Sequence, residues 1–376
     1  MQLFRFPRFV PTILAALPLT FLAGSASAQH YTQTNLVSNQ AGAAHTDTNV
    51  VNGWGIARSA TSPWWISDNG TGMATIYNVG TGVSSSTISV PGAPTGMVFN
   101  GTSAFPVLGG AAARFIFASE DGTISAWNGG TQAKVVVTTV GAVYKGIAIA
   151  TVDGNPQLYA TDFHNGRIDV FDSNFQPVTK GKGNGNGNGN GNGNGNGNSQ
   201  GEDNSFFSGK PRGFAPFNIQ NIGDTLYVTF AKQDAAKHDE VDGPGLGLIG
   251  AFTPAGKLIS WFDQVNDLNA PWGLAMAPSE FGTFSHHLLV GQFGSGEILA
   301  FNPASGAYAG KLLQPVAAGA GPITIDGIWG ISFGSGAASS GPLNTLFFAA
   351  GPNGESNGLF GSLAPVSTDL VQGNSN

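Results

Sequence analysis

The phrase Trp54-Gly55-Ile56-Ala57 recurs along the chain as Thr95-Gly96-Met97-Val98, Lys145-Gly146-Ile147-Ala148, Trp272-Gly273-Leu274-Ala275 and Trp329-Gly330-Ile331-Ser332, with Phe217-Asn218-Ile219 as a degenerate copy. Each copy follows a loop with Pro, Asn or Asp and opens an apolar run. With positions 55, 96, 146, 218, 273 and 330 as markers, the intervals are 41, 50, 72, 55 and 57 residues. The long interval holds eight Gly-Asn pairs from Gly183 to Asn198, and leaving out those 16 residues reduces it to 56. Gly-Asn repetition has no apolar side chain to bury, so it is expected to form a flexible insertion in one loop rather than a domain boundary. A sustained period of this length marks a repeat architecture.

Inside each interval the pattern is that of short strands. Trp64-Trp65-Ile66-Ser67-Asp68 is followed by Thr75-Ile76-Tyr77-Asn78, and Arg114-Phe115-Ile116-Phe117-Ala118-Ser119 by Thr123-Ile124-Ser125-Ala126-Trp127-Asn128. Further runs, Val83 to Val90 and Lys134 to Thr139, precede the next marker. Runs of β-branched and aromatic residues bounded by turn residues read as strands, and four per repeat predict an all-β, six-bladed β-propeller. The sixth repeat has three strand-like runs, Ile331 to Phe333, Thr345 to Ala349 and Leu359 to Leu363, while Tyr31-Thr32-Gln33-Thr34-Asn35-Leu36-Val37 stands unassigned before the first. That segment is expected to complete the sixth blade and so close the ring, removing two open sheet edges.

Composition agrees and narrows the function. The 376 residues include 57 glycines, no cysteine, and 22 acidic against 15 basic side chains, for a net charge of −7. Only 10% of residues are charged, against about 25% in an ordinary domain, which disfavours a helical bundle. The acidic balance excludes the basic patch of a nucleic-acid binder. Absence of Cys excludes disulfides, thiolate metal sites and a Cys nucleophile. No Gly-x-Ser-x-Gly elbow, P-loop, His-Glu-x-x-His helix or dinucleotide fingerprint occurs. Residues 1–28 read as a secretory signal, with Arg5 and Arg8, an apolar run from Val10 to Leu22 and Ala26-Ser27-Ala28 as the cleavage site. The mature propeller is then expected over 29–366, followed by a polar tail over 367–376, secreted or periplasmic and without a membrane span.

The segment Tyr159-Ala160-Thr161-Asp162-Phe163-His164-Asn165-Gly166-Arg167-Ile168-Asp169-Val170-Phe171-Asp172 resembles an NHL repeat. More widely, the chain resembles a family of uncharacterised exported bacterial propellers, some with a PEP-CTERM sorting tail. The segments carrying that resemblance include Ala44-His45-Thr46-Asp47-Thr48-Asn49-Val50-Val51-Asn52-Gly53-Trp54, Trp65-Ile66-Ser67-Asp68-Asn69-Gly70, Phe214-Ala215-Pro216-Phe217-Asn218, Asp326-Gly327-Ile328-Trp329-Gly330 and Ala350-Gly351-Pro352-Asn353-Gly354-Glu355. The resemblance implies an exported propeller and carries no reaction; this chain departs from the tailed members in its polar last residues.

In an up-and-down blade, the loop before the first strand and the turn between the second and third strands share one face. The scarce charged residues gather in those two loop classes. The candidate ligand-binding set at the channel mouth is therefore His45, Asp47, Asn49, Asp68, Asn69, Glu120, Asp162, His164, Asp326 and Glu355. His45 and Asp47 are the best pair for a divalent metal, Ca²⁺ or Zn²⁺. Simpler readings compete: Asp68, Asp121 and Asp162 are placed to accept hydrogen bonds from their own turns, His164 to sit solvated in a turn, and Trp54, Trp272 and Trp329 to pack between blades. His286 and His287, adjacent on a strand entry, point to opposite faces. With no nucleophile-base pair present, the expectation is a binding or scaffold module for a small molecule, glycan or extracellular protein. The alternative is a metal-dependent hydrolase or lyase with its site in the central channel.

Overall fold

The computed structural model describes residues 29–81, 83–178 and 212–370. The expected signal segment, the Gly-Asn tract and residues 371–376 lie outside the described residues. The chain first forms β1 (Tyr31–Ser38) and the two-residue β2 (His45–Thr46). Blade 1 is β3 (Gly53–Ala57), β4 (Trp64–Asp68), β5 (Met73–Asn78) and β6 (Val83–Ser89). Blade 2 is β7 (Pro94–Phe99), β8 (Phe115–Ser119), β9 (Thr123–Trp127) and β10 (Lys134–Thr138). Blade 3 is β11 (Tyr144–Val152), β12 (Asn155–Asp162) and β13 (Arg167–Phe171). Blade 4 is β14 (Phe214–Ile222), β15 (Thr225–Lys232), β16 (Gly247–Phe252) and β17 (Leu258–Trp261). Blade 5 is β18 (Pro271–Met276), β19 (Leu288–Gln292), β20 (Ile298–Phe301) and β21 (Tyr308–Lys311). Blade 6 is β22 (Ile328–Phe333), β23 (Leu346–Ala350) and β24 (Leu359–Pro365), completed by β1 and edged by β2.

This is the expected six-bladed propeller of antiparallel, four-stranded blades. Closure also follows the expectation: β1 runs antiparallel to β24, with Tyr31 opposite Pro365 and Ser38 opposite Leu359. In blade 3 the fourth position starts as an isolated bridge between Phe171 and Pro177, and the Val178 N–H donates to the Val170 carbonyl immediately before the chain passes beyond the described residues. The only α-helix among the described residues is the single turn α1 (Ser367–Leu370), where Asp369 accepts from the His30 backbone N–H at 2.9 Å and contacts His30 Nδ1 at 3.0 Å. Among the described residues no helix is long and apolar enough to cross a membrane.

The marker phrase has one structural job in all six blades. The innermost strand breaks register with the second strand there, between Gly53 and Ile56, Pro94 and Met97, Tyr144 and Ile147, Pro216 and Asn218, Pro271 and Leu274, and Ile328 and Ile331. A bulge of this kind bends the strand and re-aims its side chains. Two of the freed backbone N–H groups are recovered by threonines on the second strand, Gly146 N–H by Thr161 Oγ1 at 2.7 Å and Asn218 N–H by Thr229 Oγ1 at 3.0 Å.

The glycines are needed because the next inner strand passes directly against them. A Cβ on Gly55 would lie 2.5 Å from the Thr95 carbonyl oxygen, on Gly273 2.5 Å from that of Trp329, and on Gly330 2.7 Å from that of Trp54. The exception is informative: Asn218 uses its amide to bridge to the Trp272 carbonyl at 2.7 Å. The bulges thus bring the six innermost strands into backbone contact around the axis. Below the marker level the channel narrows to a cavity of about 30 Å³ lined by Gly55, Gly96, Asn218, Trp272 and Gly330 among others, room for about one water molecule.

Candidate functional site

The residue preceding each marker points to the axis, and together these six residues form a floor: Trp54, Thr95, Lys145, Phe217, Trp272 and Trp329, all buried. Trp54 stacks on Trp329 at 3.8 Å between ring centroids, and Trp272 meets Trp54 at 6.3 Å and Trp329 at 5.9 Å edge-on. Phe293 stacks on the Trp329 ring at 4.0 Å, with Phe217 edge-on at 5.7 Å. The tryptophans therefore do more than pack blade to blade: they plug the channel. Blades 1, 5 and 6, which supply them, are neighbours around the ring, and each places a residue with positive φ three positions before its marker, Asn52 at 48°, Ala270 at 48° and Gly327 at 62°. The turn this makes carries the following indole inward. The indole N–H groups of Trp54 and Trp272 have no acceptor among the described residues.

Lys145 is the floor's one charge. Its side chain is 0% exposed, its ammonium lies 4.9 Å from the Trp54 ring, and it donates to Glu120 Oε1 at 2.5 Å and Asp239 Oδ1 at 3.2 Å. Burial alone would lower its pKa, but the nearby charges of Glu120, Glu240 and Asp239 outweigh that and raise it, so Lys145 is a permanent cation. Above it, one network crosses the mouth. Trp329 Nε1 donates to Asn52 Oδ1 at 3.0 Å; Asn52 Nδ2 donates to Glu355 Oε1 at 3.0 Å and Asn69 Oδ1 at 3.2 Å; and Asn69 Nδ2 donates to Glu120 Oε2 at 2.8 Å. From Glu120 the network continues through Lys145 to Asp239, whose Oδ1 also contacts His238 Nδ1 at 2.9 Å.

Crowding shifts the carboxyls unequally. Burial pushes Glu240 up to about 8, with Lys145 opposing and Glu355 and Asp242 adding to the rise. Glu355 is also raised, first by burial, then by the charges of Glu120 and Asp239, against its bond from Asn52 and the Lys145 charge. Asp239 goes the other way: burial would raise it, but Lys145 and His238 hold it below the usual carboxylate range. Two adjacent acids thus stand in different protonation states near neutral pH, Asp239 ionised and Glu240 largely protonated. Glu120, His238 and Asp239 each offer a ligand atom within 4.8 Å of the others, the one such group of three among the described residues.

Of the residues expected at the mouth, Asn69, Glu120 and Glu355 join this network. Asp326 is exposed beside it, accepting from the Asn353 N–H at 2.8 Å. His164 lies in the β12–β13 turn, where its carbonyl accepts from Gln233 Nε2 at 3.2 Å. Asp68 and Asp162 are buried strand ends. Asp162 accepts from Val143 N–H, Asn165 N–H and Asn165 Nδ2 and pairs with Arg167 at 3.4 Å. Asp68 accepts from the Thr75 N–H at 3.0 Å, and burial holds its carboxyl well above the usual range, only partly offset by Thr75. His45, Asp47 and Asn49 share the mouth's face but sit at its outer rim, because β2 is the outermost strand of the blade 6 sheet. Asp47 is engaged there by Asn49 N–H and Nδ2, both at 2.9 Å, and by the Tyr77 hydroxyl at 2.7 Å, while His45 is exposed.

Asn52, Asp239 and Glu240 are the participants that sequence reasoning passed over, and Lys145 entered it only as the first residue of a marker phrase. A signal was present for two of them: Lys237-His238-Asp239-Glu240-Val241-Asp242 is a dense charge run in a chain with 10% charged residues. It occupies the long β15–β16 connection, which folds over the channel.

No protein-family model matches the chain. It is 32% identical over 338 residues to an uncharacterised protein of Acanthamoeba polyphaga mimivirus, covering 85% of this chain and 82% of that protein. A second uncharacterised protein of the same virus is 30% identical over 346 residues, covering 87% and 78%. Among solved structures, that of streptogramin B lyase aligns over 90% of this chain and 98% of that one, with a TM-score of 0.49 and 12% identity.

Proposed function

The chain belongs to the family of these uncharacterised mimivirus proteins, and from that membership together with the geometry of the mouth we propose that it is an exported binding module whose acidic mouth takes a positively charged group. One observation carries the reading: four carboxylates from three blades, Glu120, Asp239, Glu240 and Glu355, converge on the single buried ammonium of Lys145. One cation does not neutralise four acids; burial is the main cause of the raised Glu240 and Glu355, and their acidic neighbours add to it. A second positive charge, an amine or a divalent ion, relieves that crowding and gains charge-assisted hydrogen bonds in a partly dehydrated setting. The tryptophan floor keeps the site shallow, so the ligand is held at the mouth rather than in a through-channel.

The NHL-like phrase supports this type of propeller, since Tyr159 to Asp172 forms β12, its turn and β13, with Asp162 and Asn165 bonded within the turn. Export rests on the signal-like residues 1–28. The test is thermal melting of the mature chain with Ca²⁺, Mn²⁺, Zn²⁺ or spermidine: a ligand that binds only the folded form raises the melting temperature with concentration. The reading fails when none of the four does so. A metal-dependent hydrolase or lyase is the second reading, favoured by the mutual reach of Glu120, His238 and Asp239 and by the split protonation of Asp239 and Glu240; turnover of lactones or esters that depends on added metal distinguishes it.

A further inference from the structure

The opposite face carries a second concavity, unrelated to the channel. It lies between blades 1 and 2, where the β3–β4 turn and the long β7–β8 loop, residues 100–114, stand apart and border an open cleft of about 780 Å³. Pockets of 300–1,000 Å³ are the size that holds a drug-sized molecule. The base is aromatic: Trp65 stacks on Phe115 at 4.1 Å and meets Trp127 at 4.7 Å, while Phe99 lies edge-on to Phe115 at 5.5 Å.

The walls are fixed by hydrogen bonds. Asn100 Nδ2 donates to the Ala104 and Ala113 carbonyls at 3.0 and 2.9 Å, while its Oδ1 accepts from Thr102 N–H and Oγ1. Asn128 Nδ2 ties the same loop to blade 2 through the Ala111 carbonyl at 3.0 Å. Phe105, fully buried and packed on Phe175 at 5.3 Å, anchors the loop from beneath. The pocket is therefore built into the fold.

Its charge is as particular as its shape. Arg114 is exposed at the rim, and its guanidinium has no hydrogen bond or ion pair among the described residues. Among the described residues no Asp or Glu lines the cavity, in a chain whose net charge is −7. An apolar, ring-lined pocket with one unneutralised guanidinium at its lip matches a ligand with an apolar body and one anionic group. We propose that this cleft is a second binding site, for a small amphiphilic anion such as an aromatic carboxylate or sulfonate, with the body against the partly exposed Trp127 and Phe99 rings above the Trp65–Phe115 stack and the anion held by Arg114.

The experiment is a pair of fluorescence titrations of the mature chain, one with the anionic probe 8-anilinonaphthalene-1-sulfonate and one with neutral N-phenyl-1-naphthylamine. Wild type binds both saturably at one site. Arg114→Gln weakens the anionic probe about fivefold, the value of an exposed charge contact near 1 kcal/mol, and leaves the neutral probe within about twofold. Trp127→Ala weakens both. Arg114 is exposed, so the first variant folds as wild type, which an unchanged melting temperature verifies. Equal affinity of wild type and Arg114→Gln for the anionic probe, or no saturable binding of either probe, overturns the proposal.

Discussion

At the residue scale, two neighbouring positions in the marker phrase divide the work. The glycine lets the next inner strand pass at van der Waals distance, and the residue before it decides what fills the axis. Gly273→Ala puts a methyl group 2.5 Å from the Trp329 carbonyl oxygen, and because that oxygen belongs to a backbone held on both sides, relaxation is limited. The expected loss is about 3 kcal/mol of unfolding free energy, read from urea titration, with the slope of the transition unchanged. The glycines were legible in the sequence because the same contact is made five times and each copy repeats the signal. Asn52, which ties the Trp329 indole to Glu355 and Asn69, was not, because its role arises once and depends on two partners 277 and 303 positions away. His45 and Asp47, a plausible ligand pair in sequence, share the face of the mouth but lie at its rim, since the loop that carries them leaves an outer strand rather than crossing to the channel.

At the element scale, ring closure rests on β1. It pairs with β24 along its length, Tyr31 donates its hydroxyl to the Phe281 carbonyl at 2.8 Å, and the Tyr31 ring packs on Phe281 at 4.6 Å between centroids. A chain beginning at Asn39 exposes the β24 edge and loses this anchor between blades 5 and 6. Such a chain is expected to lose the single cooperative thermal transition and to self-associate through the open edge, as light scattering during melting would show; an unaltered, monomeric transition would mean that the ring closes without β1. The strands and their closure were readable because alternation and turn chemistry are local. What could not be read locally was the long β15–β16 connection. Its charged residues appear in the sequence as a solvated run, yet Asp239 and Glu240 face Lys145 from the neighbouring blade.

At the scale of the whole molecule, the sparse charges are concentrated by the fold, and the mouth should dominate its pH response. Glu240 has an unfolded value near 4.5 and a folded value of about 8. The folded state therefore binds the proton more tightly, and the associated stability is complete below about 4.5 and lost as pH rises through about 8. Between pH 5 and 9 wild type is expected to lose more unfolding free energy than Glu240→Gln, whose side chain has no proton to release. A bound cation favours the ionised carboxylate, so cation affinity should increase over the same rise in pH. The most direct measurement is calorimetric titration of residues 29–376 at pH 8.5 with Ca²⁺, Mn²⁺, Zn²⁺ and spermidine, beside the Glu120→Gln/Asp239→Asn double variant, whose retained fold is verified by its circular dichroism. The account predicts one saturable site in wild type for at least one of these cations, weakened at least tenfold in the double variant, a difference of about 1.4 kcal/mol. Binding of equal strength in both proteins, or no binding in either, would contradict it.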